Sequence, residues 1–338
     1  MKKSLLALAV LGAFAGVASA QSSVTLFGTV DLNARYVKND GQVRRVSLSQ
    51  NGINSSRLGF RGVEDLGSGL KASFVLEGDI QPDTGGQSTP QLWNRRSTVS
   101  LMGGFGEVRL GRDYTPTFWT QTIFDVFGTQ GVGSATNIRQ IATVAGVTHS
   151  TFVRANNTIG YHLPSNIGGV YGQFMVSPTE GVQTEKYLGG RVGFAAGPVD
   201  VAFAYGQQNL NVNDKLKSYN IGGAYNLGVV KLTGYVNRDT AFTAKDNRIS
   251  FGVAVPMGQG ELHASYNQSK LTNTNYSNKV NQIAAGYVYN LSKRTAMYSN
   301  VSRLKNGAGS TLSLPNGAGP TMANGKSTGF EVGVRHFF

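Results

Sequence analysis

Gly329-Phe330-Glu331-Val332-Gly333-Val334-Arg335-His336-Phe337-Phe338 ends the chain, and its period is two. Successive side chains of an extended strand point to opposite faces. Phe330, Val332, Val334, His336 and Phe338 therefore share one face, and Gly329, Glu331, Gly333, Arg335 and Phe337 the other. The same alternation appears mid-chain, where Val199, Val201, Phe203 and Tyr205 interleave with Asp200, Ala202, Ala204 and Gly206. Near the start, Val24, Leu26, Gly28, Val30, Leu32, Ala34 and Tyr36 oppose Thr25, Thr29, Asp31, Asn33 and Arg35, with Phe27 as the exception. An apolar face opposite a polar or small one, in segments of about ten residues, is the mark of a transmembrane β-barrel. About sixteen such segments follow one another, an even number usual for single-chain bacterial barrels. The second is expected near 54–64, the fourth near 91–102, the sixth near 156–163 and the last near 325–338.

Tight turns of Gly, Pro, Asn and Asp type (Gly103–Gly106, Gly197-Pro198, Pro256–Gly260, Leu291–Lys293) alternate with longer polar stretches at 38–53, 81–90, 178–185 and 306–324. That is the alternation of short periplasmic turns and long external loops. One connection, 114–153, is far longer than loops usually run. It holds Phe118, Trp119, Phe124, Phe127, Ile138 and Ile141, too apolar for a disordered tail. It is expected either to fold back into the lumen or to pack outside as a lid.

The ends and the composition agree. Met1-Lys2-Lys3, an apolar run from Leu5 to Val17 and the small-x-small site Ala18-Ser19-Ala20 predict a cleavable signal peptide over 1–20, with one mature domain over 21–338. The mature chain has no apolar run long enough for a spanning helix. The chain has 45 Gly, 14 Tyr, 17 Phe and no Cys, which suits twisted strands with aromatic belts and excludes disulfides and thiolate chemistry. Removing Lys2 and Lys3 from 31 basic residues leaves 29 against 18 acidic, a net charge of +11. The basic residues are scattered, without a nucleic-acid motif. Small anionic solutes or acidic lipid headgroups, and not nucleic acid, are the partners this charge implies.

Six ordered stretches carry a family likeness: Ser22–Asp31 (SSVTLFGTVD), Ser56–Gly67 (SRLGFRGVEDLG), Arg95–Leu101 (RRSTVSL), Gly106–Asp113 (GEVRLGRD), Arg154–Asn157 (RANN) and Asn290–Ala296 (NLSKRTA). With the terminal Phe338, they resemble the trimeric general porins of Gram-negative bacteria, in their anion-selective β-proteobacterial branch. The resemblance spans the mature chain. It implies an all-β fold, a 16-stranded antiparallel transmembrane β-barrel with a long third loop folded into the lumen, which maps 114–153 onto a constriction loop. It also implies a homotrimer in the outer membrane, in contact with outer-membrane lipid and lipopolysaccharide, and Phe338 as the membrane-insertion signal. Arginines on one side of the constriction become Arg57, Arg95 and Arg154. The carboxylates opposite become Glu77 from the wall and Asp125 from the loop.

Alternation alone points Arg57, Arg61, Lys71, Glu77 and Asp79 inward, because Leu58, Phe60, Ala72, Phe74 and Leu76 point to lipid. By the same phase Arg154, Asn156 and Thr158 face inward, and by parity so does Arg191. Arg95 and Asp125 rest on the resemblance. None of His149, His162, His263 and His336 sits in a hydrolase signature or at metal-ligand spacing, so neither an enzyme nor a cofactor is expected. A ligand-selective channel for sugars or organic acids is the alternative function. The only tryptophans, Trp93 and Trp119, make no evident aromatic ladder.

Overall fold

The structure, a computed structural model, describes residues 23–146, 152–178 and 186–338. The predicted signal peptide, 1–20, lies outside the described residues, as does His149. The period-two segments become strands: β1 (Ser23–Asn39), β2 (Arg45–Gln50), β3 (Arg57–Gly67), β4 (Leu70–Asp79), β5 (Arg96–Gly103) and β6 (Gly106–Tyr114). Beyond the long connection come β7 (Arg154–His162), β8 (Val170–Ser177), β9 (Tyr187–Ala196), β10 (Val199–Asn209), β11 (Lys215–Asn226) and β12 (Lys231–Ala241). The ring is completed by β13 (Ala244–Met257), β14 (Gly260–Asn273), β15 (Tyr276–Asn290), β16 (Thr295–Lys305) and β17 (Lys326–Phe337).

From β3 to β17 each strand pairs antiparallel with the next. β1 closes the ring by pairing Thr29–Asn39 with Phe337–Ser327 of β17. Its other edge takes β2 along Leu32–Val37 and β3 along Ser23–Thr29, so β2 and β3 share one position in a 16-stranded wall. Phe338 extends the seam: Gly28 N donates to its carbonyl at 3.0 Å, and Phe338 N donates to Gly28 O at 3.2 Å. Gly28 is required there, since a Cβ would lie 2.3 Å from the Phe338 ring.

β2 is a strand where a loop was expected. Its short RVSLSQ run alternates well enough to pair with β1. It is cut off from β3 because buried Asp31 accepts the amides of Gly52, Ile53 and Asn54 at 2.8 to 3.1 Å. Asn51 makes the break in a left-handed conformation, at φ 62°. β5 starts at Arg96 rather than 91. Before it, the Asn94 side chain takes a ladder position, accepting from Asp79 N at 3.0 Å.

The barrel is inside out. Val99, Phe251 and Ile283 are 54, 50 and 57 % exposed, whereas their neighbours Thr98, Ser250 and Gln282 are buried. Such an apolar surface is a liability in water and is the lipid-facing band of a membrane barrel. At the short-turn end, tyrosine hydroxyls anchor it: Tyr161 donates to Phe105 O at 2.6 Å, and Tyr287 donates to Met257 O at 3.0 Å. These are the amphipathic contacts that rings at a membrane surface make.

The long connection after β6 is folded. Thr115 caps helix α1 (Pro116–Phe124), accepting from Phe118 N at 3.3 Å, with Pro116 at the first position, a residue pair suited to starting a helix. A 3₁₀ turn (Ala135–Ile138) and helix α2 (Ile141–Ala145) follow. Their apolar residues pack on the wall face that alternates with the exposed one. Phe124 and Ala135 join Ala202 and Tyr235; Val132 and Ile138 join Val37, Val280 and Leu304; Ile141 joins Leu216 and Leu271. A buried polar layer accompanies them. Arg248 Nη2 donates to Asp239 Oδ2 at 2.8 Å, Arg139 Nε lies 3.8 Å from the same carboxylate, and Asp246 accepts from Gln140 N at 2.9 Å.

Candidate functional site

The candidate site is a cavity of about 640 Å³ between the β3–β6 wall and the connection after β6. β3 brings Arg57, β4 brings Glu77, the residue before β5 is Arg95, and β7 opens with Arg154; all four line the cavity. Arg95 Nε donates to Glu77 Oε1 at 2.6 Å, and Arg57 Nε lies 3.8 Å from Glu77 Oε2. Tyr114, the last residue of β6, is the hub. Its hydroxyl receives Arg95 Nη2 at 2.7 Å and Arg154 Nη2 at 3.1 Å, and donates to Glu77 Oε1 at 3.3 Å. The Arg154 guanidinium also stacks 4.5 Å above the Tyr114 ring, a cation–π contact that holds the charge in place without neutralising it.

Two of the three guanidiniums pair with Glu77 and the third rests on Tyr114, which leaves this cluster a surplus of two positive charges in a confined space. Glu77 lies among the arginines, not opposite them. The facing side is built from Phe118, Trp119, Thr122, Thr129, Gln130, Thr136, Asn137 and Arg139, without a carboxylate. Arg96 also reaches the cavity but is paired with Asp113 at 3.4 Å, which in turn holds Arg109 at 2.6 Å. Tyr114, Phe118 and Trp119 form an aromatic patch beside the charges, with Tyr114 stacked on Phe118 at 5.5 Å.

Asp125 sits elsewhere. It is buried at the end of α1, and its carboxylate accepts Phe127 N, Thr129 N and Ala135 N at 3.0, 3.1 and 2.9 Å. It staples the connection's own backbone. Burial pushes its carboxyl up to about 6, against the pull of those three amides. The wall residues are more dispersed. Arg61 lies 5.3 Å over the Phe27 ring, so Phe27, the exception to the alternation in β1, is a lumen residue that also fills the space left by Gly59. Lys71 is exposed opposite Asp65 beside the β3–β4 turn. Asp79 is turned to the 80–95 segment, accepting from Ser88 N at 2.8 Å. Arg191 stacks 4.6 Å over Tyr171 and donates to its hydroxyl at 3.0 Å.

One expectation fails in detail. Asn156 was expected inward with Thr158 and Arg154, but the pairing of β6 with β7 slips between Gly111 and Asp113, and Asn157 is left-handed at φ 54°. The bulge leaves Asn156 exposed, where its side chain accepts from Arg112. Arg154 reaches the cavity through Tyr114, not through unbroken alternation. Tyr114 was missed by sequence reasoning. Its only local signal is its place where a period-two run meets the long connection.

A family model described as Gram-negative porin matches residues 7–309. Outer membrane porin protein 32 of Delftia acidovorans is 42 % identical, over the whole of both chains. An anion-selective porin from Comamonas acidovorans superposes with a TM-score of 0.87 at 39 % identity, covering 94 % of this chain and all of that one. OmpT of Vibrio cholerae, solved in a trimer form, shares the fold at a TM-score of 0.67 and 13 % identity, over 94 % of this chain and 99 % of its own. Inside-out barrel, basic cavity and full-length likeness converge: this chain belongs to the Gram-negative porin family and is an integral β-barrel of the outer membrane.

Proposed function

We propose that the protein is a general diffusion pore for small hydrophilic solutes that prefers anions, with its selectivity set at Arg57, Arg95 and Arg154 and with 114–153 as the constriction loop. The observation that carries this reading is the charge surplus around Tyr114: three guanidiniums, one carboxylate and no acid on the facing side. Basic rings favour anions because the low-dielectric wall focuses their field where the lumen is narrow. Arginine keeps its charge at every working pH, so the preference persists through neutrality. A homotrimer fits the likeness to trimeric porins, and lipopolysaccharide fits a barrel exposed to the outer leaflet. Phe338 as insertion signal fits its place at the barrel seam. The test is the reversal potential of single channels in asymmetric salt. An anion preference that disappears with the arginines supports the reading; a cation preference in the wild type ends it.

The aromatic patch of Tyr114, Phe118 and Trp119 favours a second reading, a channel selective for one ligand. Liposome swelling with a graded sugar series separates the two. Uptake that declines smoothly with size belongs to a general pore, and one privileged sugar to a selective one.

A further inference from the structure

Directly opposed like charges weaken a strand pair, and β14 and β15 contain such a pair. Lys270 faces Lys279 across the ladder. Both are exposed. Their neighbours fix their direction: Leu271 is buried with Ile141, and Val280 with Val132 and Ile138, residues of the 114–153 segment. Because side chains alternate along a strand, both lysines point out of the barrel. Every ion pair among the described residues uses an Arg or a His, so neither lysine has an acidic partner there.

The level of the pair matters. On the same outer face, β15 runs from Tyr289 and Tyr287 through Ala285 and Ile283 to Asn281 and then Lys279. Below the lysines lies a polar layer in which Tyr266 donates to Asn281 Oδ1 at 3.1 Å and Gln268 donates to Tyr266 Oη at 2.7 Å. The lysines thus stand just above the apolar band, at the end that carries the long loops. A second opposed pair, Lys305 and Lys326, continues the charge on β16 and β17, although Asp40 there accepts from Lys326 N at 2.9 Å.

We propose that Lys270 and Lys279 form a site for the phosphate of a phosphorylated glycolipid in the outer leaflet, whose acyl chains lie along the apolar face beneath. A shared dianion turns the repulsion between the two ammonium groups into a bridge, and the polar layer of Tyr266, Gln268 and Asn281 suits the sugar that carries the phosphate. The proposal rests on the outer-membrane barrel reading and deepens it by naming where the lipid is held.

The test measures binding of diphosphorylated lipid A to the full-length protein purified in a neutral detergent, with dephosphorylated lipid A and inorganic phosphate as comparison probes. Lys270→Gln/Lys279→Gln should bind about thirtyfold more weakly, two lysines' worth of attraction near a charged surface. Lys279→Glu should lose binding as well while melting no lower than wild type, because it replaces a repulsive pair by an attractive one. Dephosphorylated lipid should bind weakly to all forms, and millimolar inorganic phosphate should not displace the glycolipid. Conductance and anion preference of the double variant should be unchanged, which separates this site from the pore. Undiminished binding by the double variant, an equal loss from Lys231→Gln at the short-turn end, full displacement by inorganic phosphate, or altered conductance would each overturn the proposal.

Discussion

Arg154→Glu tests the electrostatic reasoning most sharply. Arg57, Arg95 and Arg154 against Glu77 give the cavity a surplus of two charges, and the substitution cancels it. One unit charge acts on an ion about 4 Å away with about 1 kcal/mol in water. Screening over about 10 Å at 0.1 M salt leaves somewhat more than half of that. Two uncompensated charges then favour a passing anion by about 1 kcal/mol and oppose a cation by as much. The difference of about 2 kcal/mol corresponds to roughly thirtyfold in relative permeability. Arg154→Gln leaves one surplus charge and should retain about fivefold, by the same conversion. Arg154→Glu should bring the ratio near unity, and molar salt should flatten all three, since the screening length falls to about 3 Å. The assay is the zero-current potential across a planar bilayer with a tenfold chloride gradient. Lys326→Glu, on the outer face, is the control. If it moves the potential as far as Arg154→Glu, or if Arg154→Glu leaves the potential where it was, the selectivity does not reside at the Tyr114 cluster.

Three further outcomes are expected. A cysteine at Thr122, which lines the cavity, should react with small thiol reagents and lower conductance, whereas one at buried Asp125 should react far more slowly; equal labelling would place both in the lumen. Because burial raises the Asp125 pKa in the folded protein, the folded state takes up a proton as pH falls through about 6 that the unfolded chain takes up only near 3.8. Asp125 therefore opposes folding at pH 7, and that opposition fades on acidification. Melting of wild type relative to Asp125→Asn should shift upward between pH 7 and 5, and a downward shift would contradict the burial argument. Finally, Arg248→Met removes the 2.8 Å partner of buried Asp239 and leaves it the longer Arg139 contact at 3.8 Å, a class of change that costs up to about 3–5 kcal/mol. It should appear as frequent closures in single-channel traces, from a 114–153 segment no longer fixed to the wall, and quiet traces would show that the apolar clusters suffice.

How far the sequence could be read follows from the range of each signal. Period two is local, so the phases of β1, β3, β4, β10 and β17 were legible, and with them the inward positions of Arg57 and Glu77. Wherever a single residue breaks the period, the reading slips. Asn157 does this in β7 and misplaces Asn156, and Asn51 does it between β2 and β3, hiding a strand inside what looks like a loop. Long-range contacts left no trace in the pattern. Asp239 meets Arg139 from a hundred residues away, and Tyr114 collects Glu77, Arg95 and Arg154 from three separate elements. Asp125 shows the limit of likeness. A carboxylate in a loop next to a cavity is an obvious lumen residue until its three amide partners are known.

The seam between β1 and β17 has a consequence for how the molecule comes into being. Its eleven paired positions join residues 29–39 to residues 327–337, and the terminal Phe338 adds the last two backbone hydrogen bonds. Contacts that bridge nearly the whole chain form late, because closing so large a loop costs entropy that nothing local repays. The ring thus cannot be sealed before β17 meets β1. A chain shortened by one strand is left as an open sheet with two unsatisfied edges, the form most prone to pair with a neighbour. Quality control is in this sense built into the topology: only a chain that carries both seam strands has no edge to offer.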